Sequence, residues 1–155
     1  MHPRARQLID SLGLAAHPEG GYYRRLFVSA QRDAQGRAAS SAILFLLPGG
    51  AVSRWHRVDA DELWHFHEGD PLQLLIADTP GAVRCELLGP AAEGQMPQRA
   101  VAAHAWQAAR STGAYTLVGC SVAPEFQFEG FRLLADDSAA QAQWPLLARD
   151  YPELV

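Results

Sequence analysis

The chain has 155 residues, 48% hydrophobic and 19% charged, with a formal net charge of −4 and a pI near 5.8. One domain over residues 1–155 is the simplest organisation, because a chain this long buries roughly two-thirds of its unfolded surface. The acidic balance and the lack of any basic run exclude a phosphate-tracking nucleic-acid surface, no apolar run reaches the roughly 18 residues of a membrane span, and small molecules or proteins remain as partners.

The elements follow in chain order. The segment Ala5–Leu14, ARQLIDSLGL, places Leu8, Ile9 and Leu12 at helical spacing, with Pro3 ahead of it and Gly13 as its stop. From Tyr22 onward the pattern changes to short apolar or β-rich runs cut by turns such as PGG, EGDP, TPG and STG. These runs are Tyr22–Ser29, Ser40–Leu47, Val52–Val58, Glu62–His67, Leu72–Asp78, Val83–Gly89, Gln98–Ala103, Trp106–Thr112, Tyr115–Ala123 and Phe128–Ala135. Strands at spacings of about ten residues, with no helices between them, predict an all-β sandwich or barrel and not a parallel α/β sheet. The tail Ser138–Pro152 is predicted helical, interrupted at Pro145 and packed outside the barrel. Cys85 and Cys120, with no signal-peptide pattern ahead of them, are expected to be buried free thiols in a cytoplasmic protein.

The richest chemistry lies in Gly50–Gly69, GAVSRWHRVDADELWHFHEG. Side chains alternate along a strand, so an inward His56 brings Arg54 and Val58 with it. An inward Glu62 brings Trp64 and Phe66, and it leaves His65 and His67 outside. A hairpin between the two strands would bring the His56 imidazole and the Glu62 carboxyl together in a concave interior, able to share a proton or bind a divalent metal. Trp64 and Phe66 would form an aromatic wall for a small-molecule ligand, and Tyr22, Tyr23 or Tyr115 could supply an opposing acid.

The spacing of Gly50, His56, Glu62 and Gly69 resembles the first cupin motif, with Val58 standing where the motif has a second histidine. The segments HRVDADELWHFHEGDPLQLL, HPEGGYY, GQMPQRAV and YTLVGCSVAPEFQFEGFRLL resemble a small single-domain cupin family of unassigned function from about His17 to Leu134. That resemblance implies a double-stranded β-helix, the jelly-roll barrel, with short terminal helices, and a homodimer formed through the sheets. The second cupin motif would fall on Ala102, His104 and Gln107, so its histidine has become glutamine. RRLF at Arg24–Phe27 and PEFQF at Pro124–Phe128 also depart from the family pattern.

The motif-aligned metal set is therefore His56, Glu62 and Gln107, which would hold a divalent metal only weakly, since an amide oxygen is a poor ligand beside imidazole. His104 faces away from Gln107's side by strand parity. The leading expectation is a cytoplasmic cupin that binds a sugar-like or other small polar metabolite. It would isomerise or epimerise that ligand without metal, using His56 as base, Glu62 as its orienting partner, and Trp64, Phe66, Gln107 and Arg54 as ligand contacts. The alternatives are a non-catalytic binding module and a metal-dependent cupin enzyme. A nucleophilic hydrolase is disfavoured by the lack of a G-x-S-x-G elbow.

Overall fold

The central strands carry apolar residues on both faces because both faces are covered. The computed structural model describes residues 1–155 and builds two facing antiparallel sheets from eleven strands. These are β1 (Ala15–Ala16), β2 (Tyr22–Val28), β3 (Ser41–Pro48), β4 (Val52–Arg57), β5 (Asp61–Gly69), β6 (Leu72–Ala77), β7 (Arg84–Leu88), β8 (Gln98–Val101), β9 (Trp106–Ser111), β10 (Tyr115–Ala123) and β11 (Arg132–Leu133). One sheet runs β1-β2-β3-β10-β5-β8, the other β11-β4-β9-β6-β7. This is the jelly-roll sandwich. The expected last strand shrinks to β11, because a 3-10 turn takes Phe128–Gly130 and a second takes Leu134–Asp136.

The inner faces meet in a core of Phe45, Leu47, Trp64, Leu72, Leu74, Ile76 and Val118. Helix α1 (Pro3–Leu12) covers part of the six-stranded sheet from outside. Its Ala5 and Leu8 pack on Leu46, Tyr115 and Leu117, and Gly13, at φ 61°, ends it in the left-handed conformation that favours glycine. Helices α2 (Ser138–Gln143) and α3 (Pro145–Asp150) break at the expected proline. They cover the five-stranded sheet, burying Ala140, Trp144 and Leu147 against Trp55, Leu75 and Trp106. No helix is long and apolar enough to cross a membrane.

Two irregularities decide which side chains face the interior. In β4, Ser53 pairs with Ala109 and His56 with Gln107, so four residues of β4 lie opposite three of β9. Ser53 and His56 then both face inward, Trp55 turns outward beneath α2 and α3, and Arg54 occupies the bulge. In β5, Glu68 pairs with Leu117 and Phe66 with Val118, so His67 is the extra residue. Cys120 is buried, but Cys85 is exposed, because β7 is the edge strand of its sheet.

Candidate functional site

A cavity of about 460 Å³ opens between the sheets, and half of its 18 lining residues are hydrophobic. Its innermost imidazoles and carboxyls come from three places. His56 stands on β4, Glu62 on β5, and His17 and Glu19 on the turn between β1 and β2. His56 and Glu62 are not partners in a hairpin: β4 and β5 belong to opposite sheets, joined by a short turn, so the two groups face each other across the sandwich.

The turn is held tightly. Gly20 N–H bonds His17 O at 3.0 Å, and a Cβ at Gly20 (φ 110°) would stand 2.1 Å from the Val52 carbonyl oxygen, so glycine alone fits. The β4 bulge supplies the other anchors. Arg54 N–H donates to Glu19 O at 2.8 Å, and the Arg54 guanidinium donates to Pro18 O at 2.7 Å. The Arg54 carbonyl accepts from His56 Nδ1 at 2.7 Å. Arg54 therefore shapes the site through its backbone, while its side chain is directed to the turn and not, as parity suggested, to the cavity.

These contacts fix where protons can sit. A carbonyl only accepts, so His56 Nδ1 bears the proton and its Nε2 is bare in the neutral ring. Glu19 N–H donates to His17 Nδ1 at 3.3 Å, so that nitrogen is also bare and the His17 proton lies on Nε2. Both bare nitrogens face the same oxygen: Glu19 Oε2 is 3.3 Å from His56 Nε2 and 3.4 Å from His17 Nδ1. Ser53 Oγ donates to Glu19 Oε1 at 2.7 Å. One proton on Oε2 turns either imidazole contact into a hydrogen bond. The electrostatics agree, since burial raises the Glu19 pKa above the ordinary carboxylate value, and burial lowers those of His17 and His56 below the ordinary 6.5.

Glu62 is held from the opposite direction. Trp64 Nε1–H donates to Gln107 Oε1 at 3.0 Å, which turns the amide nitrogen toward Glu62, and Nε2 donates to Glu62 Oε2 at 2.6 Å. Burial raises the Glu62 pKa, and the charge of Glu19 pushes it the same way, against His56 and Gln107. Burial likewise pushes up the Cys120 thiol beside it.

The expected site residues divide accordingly. His56, Glu62, Trp64 and Val58 line the cavity. Gln107 is buried behind Glu62 and acts on it instead of facing the cavity. Phe66 packs against the main core and is not a lining residue. His65 lies on the outer face, bonded to Ser121 and Gln98, and His67 is exposed over Gly119. His104, with φ 68°, sits in an exposed turn. Of the tyrosines only Tyr23 reaches the cavity; Tyr115 donates to Glu68 on the outer side, and Tyr22 packs near α1.

Sequence reasoning overlooked His17 and Glu19. The signal available was the HPEGG segment itself, a histidine and a carboxylate two apart before paired glycines, but its turn has no periodicity to assign a face. Phe126 and Phe128, also overlooked, close the cavity from the loop after β10.

A divalent metal on His56, Glu62 and Gln107 does not fit these atoms. The amide oxygen is directed at the Trp64 indole and away from Glu62, and the NH2 group turned to Glu62 has no lone pair to give. No three His, Cys, Asp or Glu side chains gather as a metal site elsewhere.

Solved structures share the fold. A protein of Shewanella oneidensis is 34% identical with a TM-score of 0.89, over 97% of this chain and 96% of that one. A hypothetical protein of Leishmania major is 32% identical with a TM-score of 0.79, over 96% and 93%. Oxalate decarboxylase of Bacillus subtilis, 13% identical with a TM-score of 0.61 over 88% of this chain and 34% of that one, shares the fold alone. No curated protein matches the sequence. Residues 6–134 match the family described as Cupin superfamily (DUF985), and the chain belongs to it.

Proposed function

We propose that this cupin binds a small polar metabolite in the inter-sheet cavity and isomerises or epimerises it by moving a proton. The observation that carries the reading is the placement of two acid–base centres on opposite sheets around one cavity: His56 with Glu19 on one side, and Glu62, oriented by Gln107, on the other. Inversion at carbon needs such a pair, one group removing a proton from one face and the second returning one to the other.

In this reading neutral His56 is the base. Its Nδ1 is anchored, and the Glu19 proton can rest toward His17 Nδ1, which frees His56 Nε2. When His56 takes the substrate's proton, the carbon–hydrogen electron pair moves into an enolate, and the Glu19 carboxyl stabilises the imidazolium. His17 Nε2–H, to which the protein offers no acceptor, hydrogen-bonds the developing oxyanion. Glu62, whose protonated form burial favours, then returns a proton to the opposite face. Glu19 thus takes the orienting role that the sequence suggested for Glu62.

The test is solvent exchange. Candidate hydroxy-carbonyl metabolites are incubated in D2O and followed by NMR for deuterium at the carbon beside the carbonyl. The expected result is incorporation by the wild type, with an acid limb below pH 6.5 because burial lowers the His56 pKa, and a loss of roughly 10²–10⁴-fold in His56→Gln. Equal exchange by His56→Gln overturns the mechanism. Ligand binding seen by tryptophan fluorescence, with no deuterium entering any bound compound, replaces it with a non-catalytic binding module.

A further inference from the structure

The walls and charges of the cavity restrict what can enter it. The aromatic side chains of Tyr23, Phe45, Trp64, Phe126 and Phe128 line it, so a ligand is bordered by several rings. Four carboxyl side chains reach it, those of Glu19, Glu62, Glu125 and Glu129, against the single guanidinium of Arg25. That guanidinium is already engaged: it donates to Phe126 O at 2.9 Å, lies 3.8 Å from Glu125 Oε1, and rests over the Phe126 ring. Arg32, 3.7 Å away, adds to the neutralisation of Glu125. No cation without a carboxylate beside it is left to receive a phosphate or carboxylate of a ligand.

Glu62 is the opposite case. Its side chain is nearly enclosed, at 7% exposure, and lines the cavity. Gln107 occupies Oε2 and the Cys120 thiol also hydrogen-bonds the carboxyl, but Oε1 receives no N–H or O–H group. A carboxylate oxygen without an N–H or O–H donor, in a chamber lined by aromatic side chains, is satisfied by a ligand that donates hydrogen bonds, and best by one that also carries positive charge, since aromatic rings attract cations through their quadrupoles.

We propose that the ligand is a small organic amine, bound as its ammonium ion with the nitrogen on Glu62 Oε1 and an apolar or aromatic body against Trp64, Phe126 and Phe128, and that anionic metabolites are excluded. This rests on the cavity being the ligand site, the binding half of the function proposed above, and is independent of turnover; it takes Glu62 as the carboxylate, the form that an adjacent ammonium ion favours against burial. It narrows the metabolite from any polar compound to an amine-bearing one.

Three probes of nearly equal shape test it: 2-phenylethylamine, 2-phenylethanol and phenylacetate, titrated at pH 7 with binding read by tryptophan fluorescence and calorimetry. The amine is expected to bind about tenfold or more tighter than the alcohol, and the carboxylate more weakly than either. In Glu62→Gln the preference for amine over alcohol is expected to collapse to about onefold, while the alcohol binds within about threefold of wild type and so reports an intact cavity. Phenylacetate binding as well as the amine, equal binding of amine and alcohol by the wild type, no binding of any probe, or an amine preference that survives Glu62→Gln each overturns the proposal. Amine binding without deuterium exchange would leave this inference standing and remove the proton-transfer mechanism, so the two failures are distinguishable.

Discussion

His56 and Trp55 are consecutive residues of β4, both fully enclosed, and they stand in opposite kinds of interior. Trp55 faces a dry layer in which Leu75, Trp106, Trp144 and Leu147 fill the space between sheet and helices. His56 faces a cavity where carboxyls and imidazoles are paired with one another and with backbone groups. Burial alone therefore does not mark a site. The dry layer even leaves the indole nitrogens of Trp55 and Trp106 without acceptors, whereas that of Trp64, on the cavity side, orients a glutamine. Packing stabilises the first region, and the second retains polar groups whose burial costs free energy unless they are bonded.

That contrast can be broken by experiment. The largest stability effect is expected from Leu147→Ala, which opens a void in the dry layer and should cost about 2–5 kcal/mol in urea unfolding while leaving ligand binding unchanged at temperatures where the protein is folded. A loss below about 1 kcal/mol would mean that the helices are not packed as part of the fold.

The same substitution made on both sides sharpens the difference. Trp55→Phe removes an indole N–H that has no partner, whereas Trp64→Phe strands the oxygen of Gln107 and frees its amide to rotate away from Glu62. Both lose similar volume, so Trp64→Phe should be the more destabilising by about 1–3 kcal/mol. It alone should weaken ligand binding. Equal losses in the two variants would show that the indole–amide–carboxyl chain contributes nothing.

The smallest effect belongs to neither interior. On the outer face Glu68 accepts from Arg4 and Tyr115, chiefly from Arg4, and its pKa is lowered from 4.5 to about 2. A carboxylate depressed on folding stabilises the protein above its ordinary pKa and loses that contribution as the pH falls through the folded value. The pair is substantially exposed, so solvent screening keeps its contribution small. Wild type should thus exceed Glu68→Gln slightly in stability at neutral pH, with the gap narrowing below pH 4.5 and closing near pH 2. A gap that widened in acid would contradict the assigned ion pair.

How much was legible differs between the same two regions. The runs Ser40–Leu47, Leu72–Asp78 and Tyr115–Ala123 announce their strands, because a strand covered on both faces is apolar throughout. The terminal helices announce themselves by spacing, by Gly13 and by Pro145. Around the cavity the reading holds for Glu62, Trp64 and His65, which lie on a stretch of β5 that alternates regularly up to its bulge at His67, a residue that is exposed as expected. It fails for Arg54, since the β4 bulge breaks the alternation within two residues of His56, and for His17 and Glu19, which act from a turn.

The sequence by itself determined an all-β sandwich or barrel, with the jelly roll implied by its cupin resemblance, the terminal helices and the residue types His56 and Glu62 at their spacing, because those depend on short-range periodicity, turn chemistry and motif. Only the tertiary structure decided that His56 is paired with Glu19, that Glu62 answers to Gln107 and Trp64, and that the two centres face each other from opposite sheets. The reason is that a bulge and a turn, which leave no periodic trace in the chain, set the direction of a side chain, and contacts between residues 34 to 45 positions apart complete the site.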